Sequence, residues 1–314
     1  MDLFNKPISN WDEWAGIVES ADVFTPLIES IFRNEELPIA KIEALNAGMH
    51  AIFKCGDYVI KILAPIECGR DFSQDLHTES FSMKRAGEMG VSSPKLISDG
   101  IFNDKYRFAY LIMDYVWGAV DFKEAVTNMS ETEKITVGRK MRVIADKMNI
   151  SCEPFNGYDV LNDKGRNQGF RNFPDSFQME RLEYLKSYEY GERVFVHGDL
   201  HNKNVLLSEN EEIFIIDFAE ARVANTYYEY VVIISGLFEF DAALLKGFFG
   251  DCTADELTEV YFHGLLLHDW CDILVQENFG EPEQFNTLEQ LRGIVKLKFM
   301  EVMREQIWLN FGMY

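Results

Sequence analysis

The chain has 314 residues, which is enough for two lobes with cores of their own, and 47% of its residues are hydrophobic, as expected of a globular protein. Its formal net charge of −22 argues against nucleic acid or an anionic membrane as the main partner, because both attract positively charged surfaces.

The segments that direct proteins to membranes are not apparent in this sequence. The N-terminus lacks the basic and apolar regions of a signal peptide, and no run of about eighteen apolar residues predicts a membrane span. The five cysteines are an odd number without a C-x-x-C pair, which fits a reducing compartment. We therefore expect a cytoplasmic protein.

The first third of the chain is predicted to combine helices with antiparallel strands. Residues 9–34 are expected to form one or two helices, and the strands alternate apolar and polar residues between turns rich in Gly, Asn and Asp. A helix with several apolar positions follows the third strand. The predicted strands are 39–45, 50–54, 58–63, 95–98 and 108–115, and the helix is 71–89.

Lys61 lies in the apolar strand YVIKIL, and two interpretations of its side chain are open. It either extends to water at an edge of the sheet or is buried and paired with an acid. Glu79 shares a helix face with Leu76 and Met83, and a charge on a packing face needs a counter-charge. The pattern predicts an ion pair between Lys61 and Glu79, with a surface position for Glu79 as the alternative.

The remainder of the chain is predicted to be mainly helical. A helix follows the capping-box pattern of Ser130 and Glu133, and residues 151–175 form an irregular connection. Later helices are predicted at 177–188, at 226–248, after Thr253 and after Thr287. The helix after Thr253 is apolar almost all round, and we expect it to carry both His268 and Asp272. These two polar residues are expected to be hydrogen-bonded core groups, with a position facing the acceptor cleft as the alternative.

Between these helices, the segment VFVHGDLHNKNVLLSENEEIFIID concentrates polar side chains at the ends of short apolar strands. Asp199 follows the first strand, Asn204 comes five residues later, and Asp217 ends the last strand. Catalytic groups often occupy loops that a rigid scaffold positions. A β-meander with ordinary turn residues is the alternative, but order, spacing and strand context all favour a catalytic segment.

The D-x-x-x-x-N spacing followed by I-D-F resembles the catalytic segment of kinase-like folds, and the H-G-D start resembles the aminoglycoside phosphotransferase/choline kinase family of small-molecule kinases. The resemblance covers roughly residues 39–250. It implies an α+β, two-lobed protein-kinase-like fold with a small β-rich N-lobe in residues 1–115 and a larger, mainly helical C-lobe in residues 116–314. ATP or GTP with Mg²⁺ would bind in the cleft between the lobes.

The resemblance also implies a role for each matching residue. Asp199 would orient and deprotonate a substrate hydroxyl, and Asn204 and Asp217 would hold Mg²⁺ as hard oxygen ligands. His197 would be structural, and Lys61, fixed by Glu79, would position the triphosphate. The other nucleotide-binding residues would be Gly48 in the phosphate-covering loop, Met113, Tyr115 and Val116 at the hinge, and Leu206 and Ile216 beneath the base.

The acceptor is predicted to be a cationic small molecule with a hydroxyl group. From residue 190 onward the chain has 22 acidic and 8 basic residues, and a cleft of one sign concentrates ligands of the other. Asp272, one helical turn from His268, is the best single candidate for an acceptor contact, with Glu239 and Asp241 as further candidates. The alternative is that these acids only solubilise the surface.

Two competing functions are disfavoured. A non-catalytic nucleotide-binding pseudokinase would not need every catalytic position filled, as they are here. A protein kinase would carry an A-P-E segment after Asp217, whereas this chain continues directly into a predicted helix. A small-molecule kinase with an alcohol group as acceptor is therefore predicted, acting on an aminoglycoside or on choline, homoserine or a sugar.

Overall fold

The structure is a computed structural model that describes residues 2–46, 48–160, 166–187 and 193–310. The chain divides into two compact units. Unit 1 comprises Met1–Gly118 and Asp217–Glu220, and unit 2 comprises Ala119–Ile216 and Ala221–Tyr314. The lobe boundary expected after residue 115 stays a prediction.

Unit 1 is built around a five-stranded antiparallel sheet with the strand order β1-β2-β3-β5-β4. Alternation of buried and partly exposed residues along β2 shows one face of the sheet turned to the core. The three predicted strands before residue 64 all form, each within three residues of its expected ends. The elements are α1 Trp11–Ala15, α2 Ala21–Asn34, β1 Ile42–Ala44, β2 Ala51–Cys55, β3 Tyr58–Ile62, α3 Ser73–Glu88, β4 Leu96–Asn103 and β5 Arg107–Asp114.

The edge strand β4 is twice as long as predicted. The strand was predicted to end at Ser98, but it continues to Asn103 beside β5. A Cβ atom at Gly100 would lie 2.8 Å from the hydroxyl oxygen of Tyr110, so glycine here allows the tyrosine ring to pass close to the backbone. Gly100 therefore marks a close approach of the Tyr110 side chain to the strand.

Unit 2 is mainly helical, with short strands that carry the central segment. Strand β10 pairs with β7, and β8 lies between β6 and β9. A buried cluster that includes Val194, Val196 and Tyr228 packs beside β7. The elements are β6 Ala119–Asp121, α4 Phe122–Val126, α5 Glu131–Met148, α6 Asp175–Ser187, β7 Val194–Val196, β8 Val205–Ser208, β9 Ile213–Ile215, β10 Arg222–Ala224, α7 Thr226–Val232, α8 Ala242–Phe249, α9 Ala254–Leu267, α10 Cys271–Phe279 and α11 Leu288–Asn310.

The single helix predicted over 226–248 is wrong, because the chain turns between α7 and α8. A π-helical turn, Ile233–Leu237, ends α7, and Glu239 and Phe240 then adopt left-handed backbone conformations with φ of 48° and 60°. Asp241 caps α8, since its carboxylate accepts the N–H groups of Ala243 and Leu244. The candidate acids Glu239 and Asp241 thus lie in a turn.

The helix expected to carry both His268 and Asp272 is also interrupted. Helix α9 ends at Leu267, His268 adopts an extended conformation with ψ of 135°, and α10 begins at Cys271. Apolar residues surround this stretch on all sides, so no periodicity marks the break. His268 and Asp272 therefore do not share a helix face.

Candidate active site

Lys61 is buried in unit 1 and paired with two carboxylates. Its Nζ atom lies 2.8 Å from Oε2 of Glu79 and 2.8 Å from Oδ1 of Asp217. Lys61 is 4% exposed, Glu79 2% and Asp217 40%, so the cluster opens to solvent on the side of Asp217. The ion pair predicted between Lys61 and Glu79 is present, and the alternative of a lysine extending to water is excluded.

This arrangement keeps the lysine charged. Burial alone would lower the pKa of Lys61, but the attraction of Asp217 and Glu79 outweighs burial and raises that pKa above its ordinary value. Burial raises the pKa of Glu79, although the charge of Lys61 opposes that shift. A fixed cation beside a partly exposed carboxylate can bind phosphate oxygens and contribute to a metal site.

In unit 2, Asp199 and Asn204 form a hydrogen-bonded pair within one loop. The side-chain nitrogen of Asn204 donates to the carbonyl oxygen of Asp199 at 2.9 Å and to its Oδ2 atom at 3.0 Å. His201 also approaches this carboxylate, with Nε2 at 3.5 Å from Oδ2. The loop thus holds the carboxylate of Asp199 in a defined orientation.

The backbone before Asp199 is fixed by buried side chains. Gly198 has a φ of +80°, a conformation that favours glycine, and its N–H donates to Oε2 of Glu229 at 2.8 Å. Nδ1 of His197 accepts the N–H of Asp199 at 3.2 Å, and its Nε2 donates to the carbonyl oxygen of Ile216 at 3.0 Å. His197 therefore has structural contacts, as the resemblance implied.

The proposed hinge residues follow β5 in unit 1. Met113 is buried, and the N–H of Tyr115 donates to the carbonyl oxygen of Asp57 at 2.8 Å, so that N–H group is already used. Nζ of Lys54 lies 3.7 Å from the ring centroid of Trp117 and 4.1 Å from that of Tyr115. Of the groups expected to face the base, this leaves the N–H of Val116 as the candidate donor.

Leu206 and Ile216, predicted beneath the base, are both partly exposed residues of unit 2. Leu206 pairs with Phe214 across β8 and β9, while the adjacent residues Val205 and Ile215 face the core. Alternation therefore places Phe214 on the same partly exposed face. Phe214 was not among the predicted site residues, although its position in the alternating strand would have indicated it.

Gly48 lies in the bend between β1 and β2 and has open space around it. A Cβ atom there would meet nothing within 4 Å, so the structure requires no glycine at this position for packing. A lone glycine in an open loop is compatible with a phosphate-covering role, which stays a prediction. Ala47 of the same predicted turn lies outside the described residues.

Glu239 and Asp241 line a cavity of about 410 Å³ in unit 2. Both carboxylates are already paired with lysines, since Glu239 accepts Nζ of Lys123 at 2.7 Å and Asp241 accepts Nζ of Lys134 at 2.7 Å. Glu239 also accepts the side-chain amide of Asn202, in the loop that follows Asp199, at 2.9 Å. A cationic ligand at either acid would have to displace a lysine.

Asp272 lies at the start of α10 and binds within unit 2. Its Oδ2 atom accepts the side-chain amide of Asn172 at 2.8 Å, and its Oδ1 atom accepts the N–H of Ile273. The segment around Gly169 lies close by, because a Cβ atom at that glycine would be 2.6 Å from Oδ1 of Asp272. Gly169 and Asn172 of the long connection therefore lie against this candidate acceptor residue.

Two residues that the sequence analysis did not assign to the site lie directly beneath Asp199. Glu229 is a lone acid in the apolar helix TYYEYVV, and that isolated charge was a usable signal. His268 was predicted to be a hydrogen-bonded core group or to face the acceptor, and its Nε2 lies 3.2 Å from the carbonyl oxygen of Gly198. Nothing in the spacing of residues indicates this contact.

Comparisons with known proteins agree with this geometry. Residues 154–259 match the model of the phosphotransferase enzyme family, APH. No curated protein matches the chain by sequence. The match includes the whole segment from His197 to Asp217, on which the resemblance was based.

Several solved structures share the fold at low sequence identity. The aminoglycoside phosphotransferase APH(2″)-IIa with streptomycin and ATP has a TM-score of 0.56 and 17% identity, covering 84% of this chain and 96% of its own. Choline kinase LicA from Streptococcus pneumoniae has a TM-score of 0.54 and 13% identity, covering 88% and 99%. The apo form of a thermostable mutant of the aminoglycoside phosphotransferase APH(4)-Ia has a TM-score of 0.55 and 15% identity, covering 87% and 98%.

The family match and the fold define the class of protein as a small-molecule kinase with a protein-kinase-like α+β fold, and the predicted fold and enzyme classes are confirmed. The family match covers residues 154–259, about a third of the chain, and includes the H-G-D segment on which the resemblance was based. Within the described part of the chain, no helix is both long and apolar enough to cross a membrane.

Proposed function

We propose that this protein transfers the γ-phosphoryl group of ATP or GTP to a hydroxyl group of an amine-bearing small molecule such as an aminoglycoside. The observation that carries the proposal is the buried Lys61 paired with Glu79 and Asp217, because triphosphate binding needs a fixed cation beside a metal ligand. Solved structures with the same fold contain ATP, ADP or GDP, which supports a nucleotide substrate.

In this mechanism Asp199 receives the proton of the acceptor hydroxyl. The hydroxyl oxygen forms a bond to the γ-phosphorus as the bond from phosphorus to the β,γ-bridging oxygen breaks, and the nucleoside diphosphate leaves. Asn204 keeps the Asp199 carboxylate oriented through its amide hydrogen bond of 3.0 Å. Lys61 binds phosphate oxygens, and Glu79 keeps the lysine in place.

The residues present fit a magnesium ion. Asn204 directs its amide nitrogen at Asp199, so its amide oxygen is available as a hard ligand, and Asp217 supplies a partly exposed carboxylate. Asp217 follows Ile216, whose N–H donates to the carbonyl oxygen of Asn204 at 3.0 Å. Bound Mg²⁺ would neutralise phosphate charge.

A cationic acceptor is supported by charge. The chain from residue 190 onward carries 14 more acidic than basic residues, and the aminoglycoside phosphotransferases of the same fold were solved with streptomycin, gentamicin or hygromycin B. Asp272 is the preferred acceptor contact, because its carboxylate accepts the neutral N–H groups of Asn172 and Ile273, whereas Glu239 and Asp241 are paired with lysines. Choline is the second candidate, since choline kinase LicA shares the fold.

Two measurements test this function. ATP or GTP with Mg²⁺ should raise the melting temperature by mass action, and no shift at millimolar nucleotide would count heavily against nucleotide binding. A panel of aminoglycosides, choline, homoserine and sugars should then identify the acceptor. Phosphorylation of neutral or anionic sugars alone would refute the cationic acceptor and leave the kinase assignment intact.

The competing pseudokinase would give a different pair of results. It would show the thermal shift with nucleotide but no transfer to any acceptor and no hydrolysis of ATP. If transfer is found, binding of the acceptor should be compared at low and physiological ionic strength. An acceptor that the acidic residues attract should bind more weakly as ionic strength rises, because salt screens the attraction between exposed charges. An acceptor whose binding does not depend on these acids should show little change.

A further inference from the structure

His268 lies in the break between α9 and α10 and contacts the segment that carries Asp199. The side chain is 1% exposed, and its ring stacks on that of Tyr228 with centroids 4.3 Å apart. Nδ1 lies 3.2 Å from the backbone nitrogen of Trp270, and Nε2 lies 3.2 Å from the carbonyl oxygen of Gly198. Both ring nitrogens therefore face backbone groups.

These two contacts define the tautomer of the ring. A ring nitrogen that accepts a hydrogen bond from a backbone N–H carries no proton, so Nδ1 of His268 is unprotonated. The proton of the neutral ring is then on Nε2, from which it is donated to the carbonyl oxygen of Gly198. The contacts of both nitrogens are thus consistent with one neutral form.

The carbonyl of Gly198 belongs to the peptide group that joins Gly198 to Asp199. At the other end of that group, the N–H of Asp199 donates to Nδ1 of His197. Two histidines from distant parts of the chain therefore hold the two ends of a single peptide plane. Since Gly198 has a left-handed φ and no side chain to restrict it, rotation of this plane would redirect the carboxylate of Asp199.

We propose that His268 is a positioning residue for phosphoryl transfer, acting through the Gly198–Asp199 peptide to aim the Asp199 carboxylate at the acceptor hydroxyl. This inference rests on the proposed function. The proposal also accounts for the break between α9 and α10. At this break the His268 backbone is extended, a conformation that a continuous helix would not allow. A small misalignment of a catalytic group can lower a rate by roughly a hundredfold.

The kinetic test compares three substitutions at His268 with one at His263. His268→Leu should lower kcat by roughly ten- to a hundredfold while the KM for ATP changes by less than about twofold. His268→Gln, which can place a donor near the position of Nε2, should recover most of the loss, whereas His268→Asn should not. His263→Leu is the control, since the contacts of this histidine of α9 are with Tyr184, Tyr227 and Glu259.

Retention of kcat in folded His268→Leu would overturn the proposal, as would an equal loss in the Leu and Gln variants. The tautomer provides a test that needs neither a variant nor turnover. Nitrogen-15 NMR of the wild-type protein should show a neutral His268 with its proton on Nε2, and a proton on Nδ1 or a doubly protonated ring would contradict the proposal. Absence of phosphoryl transfer to every acceptor and to water would instead count against the proposed function.

Discussion

The two units position their candidate site residues by different kinds of contact. In unit 1, Lys61 is positioned by ion pairs with side chains 18 and 156 residues further along the chain. In unit 2, Asp199 is positioned mainly through its backbone, by hydrogen bonds that involve His197, Glu229 and His268 around Gly198. Removal of one charge from the Lys61 cluster should therefore destabilise the protein. Removal of one contact around Gly198 should instead misalign the Asp199 carboxylate, with a smaller effect on stability.

The largest effect is expected from Asp199 itself. Asp199→Asn removes the proposed proton acceptor while keeping the size of the side chain, and it should lower kcat by roughly a hundred- to ten-thousandfold. Nucleotide binding, measured by the thermal shift with ATP and Mg²⁺, should be largely unchanged. Asp217→Asn is the contrasting variant and should weaken Mg²⁺-dependent nucleotide binding. Near wild-type turnover in Asp199→Asn would show that Asp199 is not the base.

The ion cluster of unit 1 should respond chiefly in stability. Lys61→Met leaves the buried Glu79 beside Asp217 without its cation, and removal of one partner of a buried ion pair costs about 3–5 kcal/mol of unfolding free energy. Denaturant unfolding measures this loss.

The double variant Lys61→Met/Glu79→Met provides the control for that loss. It should be more stable than the single Lys61→Met variant, because it leaves no buried uncompensated carboxylate at position 79. Lys41→Met, at an exposed lysine, should leave stability unchanged. Equal stability of the single and double variants would contradict the assigned role of Glu79.

The difference between the two units also explains which parts could be predicted. Lys61 and Glu79 were recognisable because a charge inside an apolar strand and a charge on an apolar helix face each break a periodic pattern. Asp199, Asn204 and Asp217 could be proposed as site residues from their spacing, their strand context and the resemblance to kinase-like catalytic segments. These signals are local, and each can be found in a short window of sequence.

The supporting contacts of unit 2 are not local. His268 binds a backbone carbonyl 70 residues away, and a backbone group gives no residue identity to search for. The breaks before Asp241 and at His268 were missed because the surrounding helices are apolar on all sides, so that helical periodicity does not show where one helix ends. Asp272 was predicted to share a helix with His268, and the break at His268 is the reason that this prediction is wrong.

The buried Glu229 should make stability depend on pH. Burial raises the pKa of its carboxyl from the ordinary 4.5 to about 7, although the N–H groups of Gly198 and His197 oppose the shift. The folded state then binds more protons than the unfolded state between these values, so the unfolding free energy should fall as pH rises from 4.5 to 7. At about 1.4 kcal/mol for each pH unit, the contribution is at most about 3 kcal/mol.

Glu229→Gln should remove this contribution, because the amide does not titrate and its oxygen can still accept the N–H of Gly198. The difference in unfolding free energy between wild type and variant should therefore change with pH in the variant's favour from 4.5 to 7. Glu79 contributes with the same sign in both proteins and cancels in the difference. A constant difference for Glu229→Gln would contradict the raised pKa.

The smallest effect is expected at Trp117, where unit 1 has a cation–aromatic contact near its surface. Trp117 is 59% exposed, and Nζ of Lys54 lies 3.7 Å from its ring centroid. Contacts of this kind at exposed sites are worth about 0.5–1 kcal/mol, much less than the buried pair of Lys61 and Glu79. Trp117→Leu should therefore lower the unfolding free energy by less than about 1 kcal/mol.

A double-mutant cycle of Trp117→Leu with Lys54→Met should assign that loss to the contact, since the two substitutions together should cost less than their sum. The KM for ATP should change little, because the candidate donor to the nucleotide base is the backbone N–H of Val116 and not the indole ring of Trp117. A tenfold or larger increase in KM for Trp117→Leu would show that Trp117 contacts the nucleotide. The contact between Lys54 and Trp117 would then form part of the nucleotide site. It would differ from the buried cluster of Lys61, Glu79 and Asp217 in its place within that site as well as in its contribution to stability.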